Sequence, residues 1–259
     1  MTKLGFIGTG AITAAVLSGL KGSALADWPV LISPRNAALA QDLAATLPGV
    51  TVASDNQAVL DGADIVFLAV RPQIAEEVLR PLRFREDQRV VSLVAGLAIA
   101  TIRDWTGAGQ VVRAIPLPFA RTRSDATPVH PPEPWAIDLF NALGVALPVH
   151  DLADFDVYVA LSALMASYFG IVEATADWAV AQGLPQGEAR TYMARLFGNL
   201  GDTLRASTDS LRDLQIAHAT EGGMNEQVHT DFRTAGGMTA LTTALDNILA
   251  RAKGTPGKN

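Results

Sequence analysis

Two glycines near the start of the chain have the spacing of a phosphate-binding turn. A short apolar run, residues 4–7, leads directly into Gly8-Thr9-Gly10, and a helix-forming stretch follows. Gly8 permits a tight turn and Gly10 lets the backbone approach phosphate oxygens, while free N–H groups at the helix start face the negative charge. The pattern therefore predicts a dinucleotide pyrophosphate site formed by Gly8, Thr9, Gly10, Ala11 and Ile12.

The third small residue usual in this motif is replaced by Thr13. The prediction therefore depends on the strand–turn–helix context, together with a second strand that ends about 20 residues later. The alternative is an ordinary turn between strand and helix that happens to use two glycines.

The end of the second predicted strand distinguishes NAD from NADP. An Asp or Glu there would bind the ribose 2′-hydroxyl of NAD and repel a 2′-phosphate, but the chain reads Ser33-Pro34-Arg35-Asn36. Ser33 can donate a hydrogen bond, and Arg35 offers a guanidinium to the phosphate. We therefore predict NADP; the alternative is an N-cap serine beside a solvated arginine.

Composition excludes several other classes of function. The 259 residues carry a net charge of −6, and no Lys/Arg run of the kind that follows a nucleic-acid backbone is visible, so no nucleic-acid partner is expected. The chain has no cysteine, which excludes disulfides and thiolate metal sites, and its four histidines are scattered, so no metal site is expected.

No secretion signal is recognised in the sequence, and a cytoplasmic location is expected. The chain enters a strand without a basic n-region or a cleavage site, so secretion is not expected. The longest uncharged run, residues 157–172, is short for a membrane span and is interpreted as a buried helix of a soluble protein. No membrane partner is expected.

The first half of the chain alternates apolar strands with helical stretches. Near-continuous apolar strands such as residues 65–70 are typical of a parallel sheet covered on both faces, so residues 1–150 are predicted to form a doubly wound α/β domain of the Rossmann type. Residues 116–134 are rich in proline and polar side chains and are expected to cross irregularly.

The second half changes character. Residues 151–253 show long helical patterns and are predicted to form an all-helical C-terminal domain, and residues 254–259 are predicted to form a disordered tail. The helices are apolar on most faces, which favours a homodimer through the C-terminal helices. The alternative is a monomer whose long helix packs on the α/β domain.

Seven short segments, taken in their order and spacing, are more specific together than any one of them alone. They are Phe6-Ile-Gly-Thr-Gly10, Ser33-Pro-Arg35, Ala69-Val-Arg-Pro-Gln73, Ser92-Leu-Val-Ala-Gly96, Arg113-Ala-Ile-Pro116, Gly183-Leu-Pro185 and Thr220-Glu-Gly-Gly223. With these segments the chain resembles the pyrroline-5-carboxylate reductase family over nearly its whole length. The resemblance implies an N-terminal NADP-binding domain, a helical domain that interlocks two subunits, and hydride transfer from nicotinamide to a cyclic imine.

The same resemblance implies further cofactor contacts. Asn56 should lie near the adenine end, Val70 and Pro72 should line the cofactor cleft, and Ala95 and Gly96 should lie beside the nicotinamide. Each has a plainer alternative: proline in a first helical turn at Pro72, and a tight turn at Ala95-Gly96.

The substrate end departs from the family pattern. Where the family reads Met-Pro-Asn-Thr-Pro, this chain has Ile115-Pro-Leu-Pro-Phe119, and where it reads Ser-Gly-Ser-Gly-Pro-Ala-Tyr, the chain has Ser162-Ala-Leu-Met-Ala-Ser-Tyr168. Where the family reads Ser-Pro-Gly-Gly-Thr-Thr, the chain has Thr220-Glu-Gly-Gly-Met-Asn225. The glycine pair is kept and its neighbours are changed.

The resemblance implies that backbone N–H groups around this glycine pair hold a substrate carboxylate. The predicted substrate-binding residues are Thr220, Gly222, Gly223 and Met224, and Asn225 occupies the position of the threonine that would hydrogen-bond the imine nitrogen. Glu226, three residues after Gly223, could be the acidic partner of a helix cap.

Glu221 would place a second carboxylate beside this anion site. Two like charges about 4 Å apart cost on the order of 4 kcal/mol at an effective dielectric near 20. Glu221 is therefore either protonated and the general acid, or attracts a substrate that carries an amine or iminium. The plainer alternative is that Glu221 points to solvent or pairs with a nearby arginine. The sequence leaves open an enzyme that reduces a different imine or a carbonyl, and a non-catalytic NADPH-binding dimer.

Overall fold

The computed structural model describes residues 1–254, which form two compact units. Of the described residues, the first unit, here called the N-terminal unit, comprises Met1–Ser162 with residues 249–254, and the second, the helical unit, comprises Ala163–Ile248. The tail predicted for residues 254–259 lies outside the described residues, apart from Gly254.

The N-terminal unit contains an eight-stranded sheet with the strand order β3-β2-β1-β4-β5-β6-β7-β8. All neighbouring strands are parallel except β6 and β7, which pair antiparallel. The doubly wound Rossmann-type fold is thereby confirmed. The strands are β1 Leu4–Ile7, β2 Val30–Ile32, β3 Val50–Val52, β4 Ile65–Leu68, β5 Arg89–Ser92, β6 Gln110–Ala114, β7 Asp125–His130 and β8 Gly144–Pro148.

Helices connect these strands. Two short 3-10 helices, Pro72–Ile74 and Pro118–Thr122, follow β4 and β6. The α-helices of this unit are α1 Ala11–Lys21, α2 Ala37–Thr46, α3 Asn56–Gly62, α4 Ala75–Leu79, α5 Ile99–Thr106, α6 Pro134–Asn141 and α7 Leu152–Ser162.

The central strands are buried on both faces, as their apolar sequences predict. In β4, Ile65 and Phe67 belong to one hydrophobic cluster, while Val66 and Leu68 belong to another. Successive side chains of a strand point to opposite faces, so the two clusters are the cores on the two sides of the sheet. The rings of Phe6 and Phe67 stack at 4.3 Å between centroids across β1 and β4.

The strand order places a crevice between β1 and β4. The chain runs from β1 to β2 and β3 in one direction, then returns to β4 and continues through β5 and β6 in the other. In such sheets, ligands bind beyond the carboxyl ends of the strands where this reversal occurs. The turn at Gly8 follows β1 at this point.

Residues 116–134 are more regular than expected. They contain the 3-10 helix and β7, which joins β6 to β8, so the predicted irregular crossing was wrong. The buried carboxylate of Asp125 fixes this region, because Oδ2 accepts hydrogen bonds from the Leu117 N–H at 2.9 Å and the Thr127 hydroxyl at 2.7 Å. The strand β7 was not predicted because the sequence around it is rich in proline and its conformation depends on the buried side chain of Asp125.

The helical unit has very little core of its own. Of residues 163–248, all of which the structure describes, only Ala189 and Met193 are buried. Its helices are α8 Leu164–Ala181, α9 Gln186–Ala206, α10 Leu211–Ala217, α11 Met224–Thr234 and α12 Gly237–Ala252, the last of which continues into the N-terminal unit.

The run 157–172, predicted to be one buried helix, spans the end of α7 and the start of α8, and only its Ala160 is buried. No residue of α8 is buried, and Phe169 and Trp178 are 65% and 66% exposed. Helices α8 and α9 pack through Tyr168 and Phe197, whose ring centroids lie 5.6 Å apart. The prediction that these apolar faces are buried therefore requires a surface outside this chain to cover them.

One helical stretch, Leu152–Ala181, has the length and apolar composition of a membrane span, with a mean hydropathy of 1.6. It is interrupted where α7 ends at Ser162 and α8 begins at Leu164. A single stretch of this kind is weak support for a membrane span, because helices of soluble proteins share these properties.

Candidate active site

The turn after β1 has the geometry that the two glycines predict. Gly8 has a φ of +107°, and a Cβ placed there would lie 2.4 Å from the carbonyl oxygen of Ala69. A Cβ at Gly10 would meet nothing within 4 Å. The turn is therefore packed closely against the end of β4 on one side and open on the other.

The start of α1 offers free donors to an anion. Within residues 1–254, no acceptor bonds the N–H groups of Gly10, Ala11 or Ile12, and the first turn of α1 contains no acidic side chain. The buried Thr13 hydroxyl donates to the Gly8 carbonyl at 2.7 Å, which explains a threonine at this position. Unpaired N–H groups at the positive end of a helix fit a pyrophosphate.

Ser33 holds this turn from the end of β2. Its hydroxyl oxygen accepts a hydrogen bond from the Gly8 N–H at 2.9 Å and lies 3.2 Å from the Thr9 hydroxyl, which itself donates to the Ser33 carbonyl at 2.7 Å. Ser33 is 1% exposed. The donor that the sequence assigned to a 2′-phosphate is therefore turned into the fold.

Arg35 is the exposed cation at the tip of β2. No ion pair or hydrogen bond of its side chain occurs within the described part of the chain. The N-cap of α2 is Asn36, so the alternative N-cap role for Ser33 is not what the structure shows. The next residue available to a phosphate at this edge is Arg35.

The remaining predicted cofactor residues follow the carboxyl ends of β3, β4 and β5. Asn56 is the first residue of α3, Val70 is half-buried, and Pro72 starts the 3-10 helix. Ala95 and Gly96 are exposed, and Gly96 has a φ of +72°. The fold thus brings these residues to the same edge of the sheet as Gly10.

A small cavity of about 90 Å³ lies at the ends of β5 and β6. It brings the predicted cofactor residues Ile12 and Ala95 together. Its lining is otherwise mostly apolar and consists of Ser92, Leu93, Val94, Arg113, Ala114, Ile115, Pro116, Phe155, Val159 and Ser162.

Arg113 is the charged side chain in the lining of this cavity, and the sequence assigned it no role. It is 6% exposed, and its guanidinium carbon lies 4.6 Å from the ring centroid of Phe155. Burial lowers the pKa of the Arg113 guanidinium from its usual value, and the attraction of Asp156 partly offsets this effect. The matching segment 113–116 marked the position but not the burial.

In the helical unit, the N–H groups of the glycine pair are already bonded. Gly222 N–H donates to Glu226 Oε2 at 2.7 Å, and Gly223 N–H donates to the Thr220 carbonyl at 2.8 Å. Glu226 thus reaches back to the start of α11, as in a helix cap, but it bonds the N–H one residue before the N-cap Gly223. An incoming carboxylate would compete with the carboxylate of Glu226 for the Gly222 N–H.

Glu221 is exposed and lines an open cavity of about 500 Å³ in the helical unit. Of the predicted substrate and catalytic residues, all of them described, it alone lines this cavity. The other lining residues are Arg212, Gln215, Ile216, Ala219, Glu226, His229, Thr230 and Arg233.

Asn225 and Met224 point elsewhere. The Asn225 side-chain amide donates to the His218 carbonyl at 2.9 Å, which engages one of its two hydrogens, and Met224 is 87% exposed. No cluster of three or more His, Asp or Glu side chains that could hold a metal ion occurs in residues 1–254.

Comparison with known proteins accounts for both parts of the chain. Residues 3–96 match a family model described as NADP oxidoreductase, coenzyme F420-dependent, and residues 153–255 match one described as pyrroline-5-carboxylate reductase dimerisation. Pyrroline-5-carboxylate reductase of Methanosarcina acetivorans is 31% identical over 74% of this chain and 75% of its own length. The chain belongs to the pyrroline-5-carboxylate reductase family.

Solved structures agree with this assignment. The 1-pyrroline-5-carboxylate reductase of Streptococcus pyogenes superimposes with a TM-score of 0.85, covers 98% of both chains and is 25% identical. The pyrroline carboxylate reductase of Plasmodium falciparum, solved with NADP bound, shares the fold with a TM-score of 0.82 at 17% identity over 98% of this chain and 97% of its own. This family member is an NADP-dependent oxidoreductase of the type that acts on a C=N bond.

Proposed function

We propose that this reductase uses NADPH to reduce the C=N bond of a cyclic imine of the pyrroline-5-carboxylate type, as in proline biosynthesis. The observation that carries the proposal is the turn at Gly10, where unpaired N–H groups adjoin an open face. NADPH supplies the hydride, and the chain binds and orients the reactants.

Different residues of the N-terminal unit bind different parts of the cofactor. The N–H groups of Gly10, Ala11 and Ile12 bind the pyrophosphate, and Arg35 binds the 2′-phosphate. Ala95 and Gly96 border the nicotinamide, because they follow β5 on the opposite side of the β1–β4 crevice from Arg35.

In the helical unit, we propose that Glu221 is the proton donor for the imine nitrogen. Asn225 is the alternative donor of a hydrogen bond to this nitrogen, because the nitrogen has one lone pair and takes one donor at a time. Thr220, Gly222, Gly223 and Met224 form the backbone around the substrate. The support is the position of Glu221 in the cavity of this unit and the remaining free amide hydrogen of Asn225.

The direct test follows NADPH absorbance with purified protein and a panel of substrates. Turnover of pyrroline-5-carboxylate is expected. Turnover of other imines or of carbonyl compounds alone would move the function to the second candidate, which the Glu226 contact with Gly222 favours. Tight NADPH binding without turnover of any substrate would leave a non-catalytic dimer.

A homodimer through the helical unit and a cytoplasmic location complete the proposal. The match to a dimerisation model covers residues 153–255, and the large side chains that a partner would cover are exposed on α8 and α9. Trp178 and Tyr192, for example, are 66% and 69% exposed. A second copy covering these faces would remove them from water.

The Arg35→Ala variant is expected to weaken NADPH binding about 10- to 100-fold and to change NADH binding less than about twofold. A hydrogen bond to a charged group contributes roughly 1.5–3 kcal/mol, and NADH lacks the phosphate. Calorimetry with both cofactors measures the difference. Equal losses would refute the 2′-phosphate assignment.

Ser33→Ala is the matched contrast for this test. Because Ser33 bonds the Gly8 N–H, its loss should weaken NADPH and NADH to the same extent through the turn.

The Glu221→Gln variant is expected to lower kcat by at least about 100-fold, because general acid catalysis contributes roughly 10²- to 10⁴-fold. Steady-state kinetics with saturating NADPH measures it. Glu226→Gln is the control, since a glutamine side-chain oxygen still accepts the Gly222 hydrogen bond. An unchanged kcat with a lower KM for the carboxylate substrate would reduce the role of Glu221 to charge repulsion.

A further inference from the structure

Arg113 is a buried cation without a hydrogen-bond acceptor. It lies at the end of β6, 6% exposed, and no acceptor within residues 1–254 bonds its guanidinium. A guanidinium carries five N–H donors. Among the described residues the fully enclosed side-chain atoms without a partner are Asp125 Oδ1 and Trp135 Nε1, so the Arg113 nitrogens keep some accessible surface. An accessible guanidinium at a cavity can take an acceptor that comes from outside the chain.

The neighbours of Arg113 do not satisfy it. Phe155 stacks over its guanidinium, which leaves the in-plane N–H groups available. Asp156 attracts it through space, but no ion pair within 4 Å joins the two in the described residues. The hydroxyls of Ser92 and Ser162 bond the Val94 N–H at 3.3 Å and the Val159 carbonyl at 2.7 Å.

The cavity lies where the reactive end of the cofactor is expected. Arg35 follows β2 and Gly10 follows β1. Arg113 lies near the end of β6, which is separated from β1 by β4 and β5, so it is on the opposite side of the crevice from Arg35. A dinucleotide whose 2′-phosphate is at Arg35 therefore extends towards Arg113 with its nicotinamide. About 90 Å³ admits a group of a few heavy atoms, since one water needs roughly 10–15 Å³.

We propose that Arg113 binds a carboxyl-derived oxygen that enters this cavity, and that it thereby positions the reacting ring. Two groups in the reaction carry such an oxygen: the carboxamide of the nicotinamide and the carboxylate of the substrate. A planar guanidinium matches both, because its parallel N–H groups can donate to one or two sp² oxygens. The proposal rests on the proposed function.

The test is calorimetry on the full-length protein with the variants Arg113→Met and Arg113→Lys. Replacement of a buried charge by an apolar side chain of similar volume is neutral or stabilising, so Arg113→Met should fold. Melting temperatures verify this. Arg89→Met is the matched control, because Arg89 also stacks on an aromatic ring, Trp135 at 5.6 Å, but lies exposed at the other end of a strand.

Two pairs of ligands separate the sources of the oxygen. NADPH is compared with 2′,5′-ADP, which lacks the nicotinamide, and pyrrolidine-2-carboxylate is compared with pyrrolidine on the NADP⁺-loaded protein. If the carboxamide is bound, Arg113→Met weakens NADPH at least about tenfold and leaves 2′,5′-ADP unchanged. If the carboxylate is bound, Arg113→Met lowers the affinity for pyrrolidine-2-carboxylate at least about tenfold and leaves the affinity for NADPH unchanged. Arg113→Lys, which keeps the charge, should show a smaller loss of the same ligand.

Affinities of NADPH and pyrrolidine-2-carboxylate that each change less than about threefold in both variants would overturn the proposal. Failure of the proposed function gives a different result, because wild-type protein would then bind NADPH without reducing any imine. The calorimetric comparison does not depend on turnover, so the two failures are distinguishable.

Discussion

The Gly8→Ala variant is expected to lose both stability and NADPH binding, whereas Gly10→Ala is expected to lose binding alone. At Gly8, an L-residue would have to adopt a φ of +107° and place its Cβ 2.4 Å from the Ala69 carbonyl oxygen. The conformational penalty alone is roughly 1–2 kcal/mol. The clash is with backbone, which cannot rotate away, so we expect a total loss of about 3 kcal/mol.

At Gly10 the backbone is extended, with a φ of −123°, and a Cβ would meet no atom of the chain within 4 Å. Alanine should therefore change stability by no more than about 0.5 kcal/mol. The same Cβ would occupy the space that the phosphate oxygens need, so we expect NADPH affinity to fall at least about tenfold.

Thermal melting and calorimetry on both variants check this pair. A loss of about 3 kcal/mol corresponds to a decrease in Tm of roughly 6–12 °C for a domain of this size. A Gly10→Ala protein that binds NADPH as tightly as wild type would sink the assignment of the pyrophosphate to this turn. A Gly8→Ala protein that melts like wild type would contradict the packing of the turn against β4.

The Gly19→Ala variant is expected to destabilise the N-terminal unit by about 2 kcal/mol or more, although helix propensity alone predicts a gain of about 1 kcal/mol. Gly19 is buried in α1, and a Cβ there would lie 2.1 Å from the Ala120 carbonyl oxygen and 2.8 Å from a methyl group of Leu143. Overpacking a well-packed interior costs roughly 1–3 kcal/mol, and a backbone oxygen yields less than a side chain.

Urea unfolding of Gly19→Ala gives the sign directly. Gly187→Ala in α9 is its control, because a Cβ there would meet nothing within 4 Å and should raise stability by a few tenths of a kcal/mol. A Gly19→Ala variant as stable as wild type would contradict the close approach of Ala120, in the 3-10 helix Pro118–Thr122, to Gly19 of α1.

The sequence predicted those helices and strands that are determined by the pattern of apolar residues and glycines within them or directly before them. Strands β1 and β4 are continuous apolar runs, and α1 follows a glycine turn, so their existence and order could be read from the residues alone. Strand β7 could not be read in this way. It contains Pro128 and begins at Asp125, whose side chain bonds residues on either side of it.

The cofactor turn was predictable because glycine conformation is a property of the backbone, but side-chain directions were not. Ser33 follows β2, as predicted, yet its hydroxyl bonds the turn at Gly8 instead of facing outward. The contact of Glu226 with the start of α11 could be predicted because the spacing from Gly223 is local, although the N–H that it bonds is that of Gly222. The unpaired guanidinium of Arg113 could not be predicted from the sequence, because it depends on how the ends of β5 and β6 and helix α7 pack around the cavity.

The near absence of a core in the helical unit has a consequence for how this protein must be handled. Ala189 and Met193 alone cannot fix the helices of residues 163–248. If the proposed homodimer forms, we expect the second copy to supply much of the free energy that orders them. Stability of that kind follows mass action. Heat resistance should therefore rise with protein concentration, and a stock diluted to the nanomolar range should inactivate with time even where each N-terminal unit remains folded.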